Sequence, residues 1–163
     1  MDISKELINK FLEYKDGNLY WKEKTSKFAN IKIGDVAGRV DSHGYFQTTI
    51  NKKSYLNHRI IFFIHHGYIP KMLDHIDGNR KNNSIENLRE ANNYQNGQNR
   101  ALCSKNKSGY KNVYWHKASK KWAVTLQFNG KTKHIGVFED LELADLVAQE
   151  ARDKFHGKYA RNS

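Results

Sequence analysis

The sequence predicts an α+β protein of small units, and three observations carry that prediction. Up to Pro70, turn signals cut the chain into short apolar runs of alternating helical and strand period. From Leu73 to Asn99 the composition changes sharply: eight asparagines fall in that window, so it has little to bury and reads as a loop or a site. After Ser104 three strand-like runs precede one amphipathic helix, giving the order βββα.

Taken in order, Ile3, Leu7, Ile8, Phe11 and Leu12 recur at helical spacing, so a helix is predicted from Ile3 to Tyr14. Asp16-Gly17-Asn18 is turn chemistry, and Leu19-Tyr20-Trp21 reads as a short strand. Val36–Val40, Tyr45–Ile50 and Tyr55–Leu56 read as further short strands, separated by Asp41-Ser42-His43-Gly44 and Asn51-Lys52-Lys53-Ser54. Asn57 suits the cap of a helix running through Arg59–Ile64 and stopping at Gly67, and Pro70 ends any helical run. Beyond the asparagine-rich window, Val113–His116, Lys121–Phe128 and Lys133–Phe138 read as strands. Asn129-Gly130 is a hairpin signal between the last two. Leu141 to Phe155 marks a helix with one apolar face, capped by Asp140 and stopped by Gly157. The polar run Ser104–Gly109 places a boundary near Cys103. The expected division is therefore 1–56, helix and short strands packed against the next part; 57–103, carrying the asparagine-rich window; and 104–163, the βββα unit.

A formal net charge of +11 and a pI near 9.6 favour a polyanionic partner, nucleic acid before acidic membrane. No run approaches a membrane span, and MDISKELINKF lacks the order of a secretory signal. Cys103 is the single cysteine, which excludes an intrachain disulfide and a cysteine-rich zinc cluster. A cytoplasmic location is expected, that of the host cell if the chain is phage-encoded.

The window itself holds the parts of a hydrolytic site. Asp74 and His75 are adjacent, so the carboxylate can tune the base strength and tautomer of the imidazole. A carboxylate with an amide oxygen is a hard-oxygen ligand set, suited to Mg²⁺, which keeps several waters. One such ion, one histidine base and one water suffice for phosphodiester hydrolysis.

Asp74–Asn79 (DHIDGN), Asn82-Asn83, Asn87-Leu88-Arg89, Asn96 and Asn99 together resemble the HNH endonucleases, in the homing-type branch found in phages and mobile introns. His58-Arg59 and His66-Gly67-Tyr68-Ile69-Pro70 upstream match the same branch. The resemblance spans Asn57 to Asn99 and implies a ββα-metal fold gripping one divalent ion. It implies His75 as general base, Asp74 and Asn96 as metal ligands, and Asn87 as the residue that holds the hairpin and orients His75. Mg²⁺ is the implied ion, with Mn²⁺ as the alternative. Asn92, Asn93 and Asn99 stay open as substitutes for Asn96. Asn82 and Asn83 read as turn and cap residues, and His58 and Arg59 as packing or phosphate contacts.

From Ser104 to Phe138 there are eight lysines and no Asp or Glu. Period two puts Trp122, Val124, Leu126 and Phe128 on one face of the second strand, toward the helix, and Lys121, Ala123, Thr125 and Gln127 on the other. A small basic sheet with a polar face left open fits a DNA groove. Gly109–Val113, Lys121-Trp122, His134–Phe138, Ala144 and Ala148 resemble the AP2 DNA-binding domain, over Ser108 to Arg161. That family lays its sheet in the major groove, which implies DNA contacts from Lys111, Tyr114, His116, Lys121, Thr125, Gln127 and His134. Trp115 and Trp122 are read as core.

The expected protein is thus a metal-dependent endonuclease that acts on double-stranded DNA as a monomer, with no obligate protein partner, and nicks one strand because it has one constellation. The alternatives are a non-catalytic sequence-specific DNA-binding protein and an RNA-binding protein; the latter lacks a clear aromatic stacking face.

Overall fold

A computed structural model describes residues 4–27 and 29–162. Ile3, counted above into the first helix, lies outside them. The chain forms two compact units, one ending at Glu90 and the next beginning at Ala91.

In the first unit α1 (Lys5–Phe11) is capped by Ser4, whose Oγ accepts the Leu7 N–H at 3.1 Å. The helical spacing continues to Tyr14, but the chain leaves the helix at Leu12. The Asp16-Gly17 turn pairs β1 (Leu12–Lys15) with β2 (Asn18–Trp21), and ladder bonds to Leu19 and Trp21 replace helical ones. Next comes an antiparallel sheet of β3 (Arg39–Val40), β4 (Phe46–Ile50) and β5 (Lys53–Leu56), in that order. Val36, expected to open β3, instead makes one isolated bridge to Tyr20.

Asn57 does not cap α2 (Asn57–His66): it is the first helical residue, and Leu56 stands at the cap position. The buried Asn57 side chain accepts from Thr48 Oγ1 at 2.7 Å and donates to the Ala37 carbonyl at 2.8 Å. It therefore ties helix to sheet, satisfying a buried amide that would otherwise be costly. Gly67 ends α2 at φ 77°, as its position in the sequence predicts. Ile8, Leu19, Ile50, Ile60 and Ile61 form the centre of this core. β6 (Leu73–His75) and β7 (Leu88–Glu90) then pair antiparallel around the asparagine-rich loop.

The second unit opens with α3 (Asn93–Gln98) and continues as β8 (Val113–His116), β9 (Lys121–Phe128), β10 (Lys131–Phe138) and α4 (Leu141–His156). The sheet is antiparallel with β9 central, and α4 packs on it through Ala144 and Ala148, small enough for close approach to Val113 and Val124. The βββα order stands as read. Trp115 does not belong to the core: it is 47% exposed, packed edge-on against Trp122 at the sheet margin.

Helix α3, grouped in the sequence reading with 57–103, belongs to this second unit for a visible reason. Lys111 Nζ donates to the Gln98 carbonyl at 2.8 Å and Arg161 Nη1 to that of Asn99 at 3.5 Å. Among the described residues no helix is long and apolar enough to cross a membrane.

Candidate functional site

The pairing of β6 with β7 sets Asp74 opposite Arg89 and His75 opposite Leu88. Both Asp74 and His75 are 5% exposed. Two guanidinium nitrogens of Arg89 converge on one carboxylate oxygen of Asp74, Nε at 2.9 Å and Nη2 at 2.7 Å. A buried carboxylate needs such compensation. It also fixes which way Asp74 faces.

The loop between the strands is a knot of amides. The Asn87 side chain donates to Asp77 Oδ1 at 2.9 Å and to the Asn82 carbonyl at 2.8 Å, and accepts the Asp77 N–H at 3.0 Å. Asp77 also receives Asn82 Nδ2 at 2.7 Å and the Asn79 N–H at 2.7 Å. Burial alone would raise the Asp77 carboxyl. Hydrogen bonds from Asn82, Asn79 and Asn87, with the His75 charge, outweigh it and hold the group below the usual carboxylate range.

Asn87 thus ties Asp77 to the Asn82 carbonyl across the loop. On the imidazole itself, His75 Nε2 lies 3.1 Å from the Oδ1 of buried Asn83. An amide oxygen only accepts, so Nε2 carries the proton and the basic lone pair of the neutral ring is on Nδ1. Asn83 is the site residue that sequence reasoning missed; Asn-Asn after a turn carries no signal separating a cap from a partner of histidine. Replacing it with alanine removes one hydrogen bond from the ring. A fall of about tenfold in single-turnover cleavage is expected, at unchanged DNA affinity.

His58 and Tyr45 complete the surroundings. The His58 ring stands edge-on to His75 at 5.1 Å between centroids, and Tyr45 lies 5.2 Å from His58 and 5.9 Å from His75. Arg80 stacks on Tyr45 at 4.9 Å and donates to the His43 carbonyl at 2.6 Å. Burial, helped by the His75 and Arg59 charges, lowers His58 to about 3, against an ordinary 6.5. His58 therefore stays neutral in the folded chain but takes up a proton when unfolded. Between pH 6.5 and 3 the unfolded state binds the extra proton, so stability is full above 6.5 and falls as pH drops. By pH 5 this group alone is expected to cost about 2 kcal/mol. Urea unfolding at pH 7.5 and 5.0 should show that loss, and His58→Gln should flatten it.

Could these residues hold a metal? Asp74 offers a buried carboxylate already balanced by Arg89, and among the described residues no group of three or more His, Cys, Asp or Glu comes together. That donor set fits a hard cation with few protein ligands and retained waters rather than a nitrogen- or sulfur-rich cage.

Asn96, in the second unit, is half-buried on α3, and its N–H closes the first turn onto the Asn92 carbonyl at 2.9 Å. Asn92 itself is committed to a capping box with Gln95, which removes it as a substitute for Asn96.

On the sheet of that unit, Tyr114 faces Ala123, His116 faces Lys121, and Thr125 faces His134 across the ladders. Directly opposed residues share a face, so Tyr114, His116, Lys121, Thr125, Gln127 and His134 stand on the one turned from α4. Ala123 is buried there between Tyr114 and Val137. Lys111 does not join them. Its half-buried ammonium donates to the Gln98 and Arg161 carbonyls at 2.8 and 3.1 Å, so the structure removes it from the expected contact set and gives it a packing role. Gln127 donates to Thr132 at 2.6 Å, and Lys121 pairs with Glu139 at 3.0 Å, an exposed contact of little energetic weight.

Residues 55–98 match the HNH endonuclease family, a span that includes Asp74, His75, Asn83, Asn87 and Asn96. Protein 3.8 of Escherichia phage T7 is 36% identical over 99 residues, covering 58% of this chain and 79% of that protein. No solved structure matches.

Proposed function

We propose, from the HNH endonuclease match at residues 55–98, that the chain hydrolyses a phosphodiester bond in duplex DNA with His75 as general base. The observation that carries this reading is the buried Asp74-His75 pair, each member held by its own partner, Arg89 and Asn83. With the Nε2–H given to Asn83, His75 uses Nδ1 to take a proton from the attacking water. The imidazolium that results keeps its bond to Asn83. Asn87 keeps the intervening loop closed through Asp77, so the two strands that present Asp74 and His75 hold their register.

HNH nucleases generally use a divalent metal. Here Asp74 and Asn96 are assigned to hold it, with Mg²⁺ as the ion and Mn²⁺ as the alternative. When bound it stabilises the charge that gathers on the phosphate and on the leaving oxygen.

The further details belong to the same reading. The enzyme is of the homing type, its βββα unit is AP2-like, and the open sheet face recognises the target through Tyr114, His116, Lys121, Thr125, Gln127 and His134. It acts as a monomer and nicks, because one Asp74/His75/Asn87 constellation meets one strand and the two strands of the duplex run in opposite directions. Supercoiled plasmid carrying one target should convert to open circle with Mg²⁺ and stall there, and EDTA should stop it. Linear product without an open-circle stage overturns the nick. Retained binding with no cutting in Mg²⁺ or Mn²⁺ overturns the nuclease and leaves a DNA-binding protein.

A further inference from the structure

In the second unit a cavity of about 440 Å³ opens between α3, the residues just before β8, the β9–β10 turn and the end of α4; of the proposed target contacts, Gln127 borders it. Its lining includes Tyr94, Arg100, Lys111, Asn112, Asn129 and His156, and no Asp or Glu. We propose that this cavity binds a nucleotide, with the base against Tyr94, the base edge read by asparagine amides, and the phosphate toward Arg100. It rests on the DNA-cutting reading only for the source of that nucleotide, a strand of the bound DNA.

Four features support it. Tyr94 is 63% exposed, a large aromatic face on a short helix with no core to fill. Gly130, at φ 75°, makes room for it: a Cβ there would stand 3.3 Å from the Tyr94 hydroxyl. Gly97 also lines the cavity, and the space beside it is open: nothing lies within 4 Å of where a Cβ would stand. The polar lining is mostly amide and cation, which is how proteins meet base edges and phosphates.

The positive charge behind the wall is dense. Fully buried Arg152 donates to the Lys111 carbonyl at 2.6 Å, and the carboxylate of Asp145 stands 3.9 Å from its Nη2. Burial, with the Arg152 and Arg161 charges adding, brings the Lys111 ammonium down to about 8. His156, 8% exposed, gives its Nε2 proton to the Gln127 carbonyl at 2.9 Å. That leaves Nδ1 a buried acceptor with no partner among the described residues, on a residue that lines the cavity.

The test uses the full chain, labelled with ¹⁵N, and follows the side-chain amides of Asn112 and Asn129. Thymidine 3′,5′-bisphosphate should shift them saturably, inorganic phosphate at least tenfold more weakly. Tyr94→Ala, at an exposed position, should weaken the nucleotide about tenfold, and Arg100→Glu should weaken both anions. No shift, or equal response to inorganic phosphate, or a Tyr94→Ala titration like that of the parent overturns the proposal. Adding duplex DNA identifies the source: the same amides should move. If the free nucleotide moves them and duplex does not, the strand origin is overturned. Plasmid cutting with amides silent to every probe overturns the cavity and spares the nuclease; responsive amides without cutting do the reverse.

Discussion

Cleavage by His75→Ala should fall by roughly 10²–10⁴-fold, the ordinary worth of a positioned general base, while DNA affinity stays within about twofold of the parent. The imidazole is buried, so it supplies no contact to the phosphate backbone that binding would lose. The substitution leaves Asn83 with an unpaired amide oxygen and opens space beside His58 and Tyr45, which costs stability as well as rate. Rate is therefore read at saturating protein in a single turnover, with folding checked by the same urea titration used for the acid series. His75→Gln keeps volume and polarity and should be equally inactive. Wild-type cleavage by either variant removes His75 from the role. Loss of DNA affinity alongside rate would assign it instead to binding.

Stripping the open sheet face should weaken binding to the preferred target at least about hundredfold, since several contacts worth about 1–3 kcal/mol each disappear together. The variant Tyr114→Ala/Lys121→Ala/Thr125→Ala/His134→Ala leaves Gln127 intact because that residue also borders the cavity. Only one formal charge is removed, so the salt dependence should flatten by about 0.9 at most. Removing lysines on the same unit but off this face, Lys105, Lys107 and Lys117, should do the opposite: a smaller loss for any one sequence but a larger change in slope. If the two variants lose affinity and slope in the same proportion, the sheet face carries charge and no sequence reading.

What was legible in the sequence was whatever depends on neighbours in the chain. Asn129-Gly130, the alternation from Trp122 to Phe128 and the Asp140 cap together fix βββα without reference to anything distant. Asp74, His75 and Asn87 were likewise visible as a spaced constellation. What escaped depends on distant partners. Leu12 and Tyr14 fit a helix until the turn at Asp16-Gly17 recruits them into a hairpin. Asn57 looks like a cap until Thr48 and Ala37, well upstream, claim its amide. Lys111 counts as surface charge until two carbonyls from the chain's other segments enclose it. The role of Asn83 is invisible for the same reason, since only the closed loop brings its oxygen to His75.

The latch from Lys111 to the last turn of α3 bears on how such chains recombine. The polar run Ser104–Gly109 looks like the natural place to graft a different C-terminal module. A chimaera joined there would leave α3 behind without the lysine and arginine that hold its carbonyls. A junction at Glu90-Ala91 transfers helix and sheet as one cassette. The family-matching segment, which runs on to residue 98, is then divided, and Asn96 travels with the incoming module. Successful shuffling between relatives should therefore favour crossovers upstream of Ala91, and donors whose own α3 carries an amide at the Asn96 position.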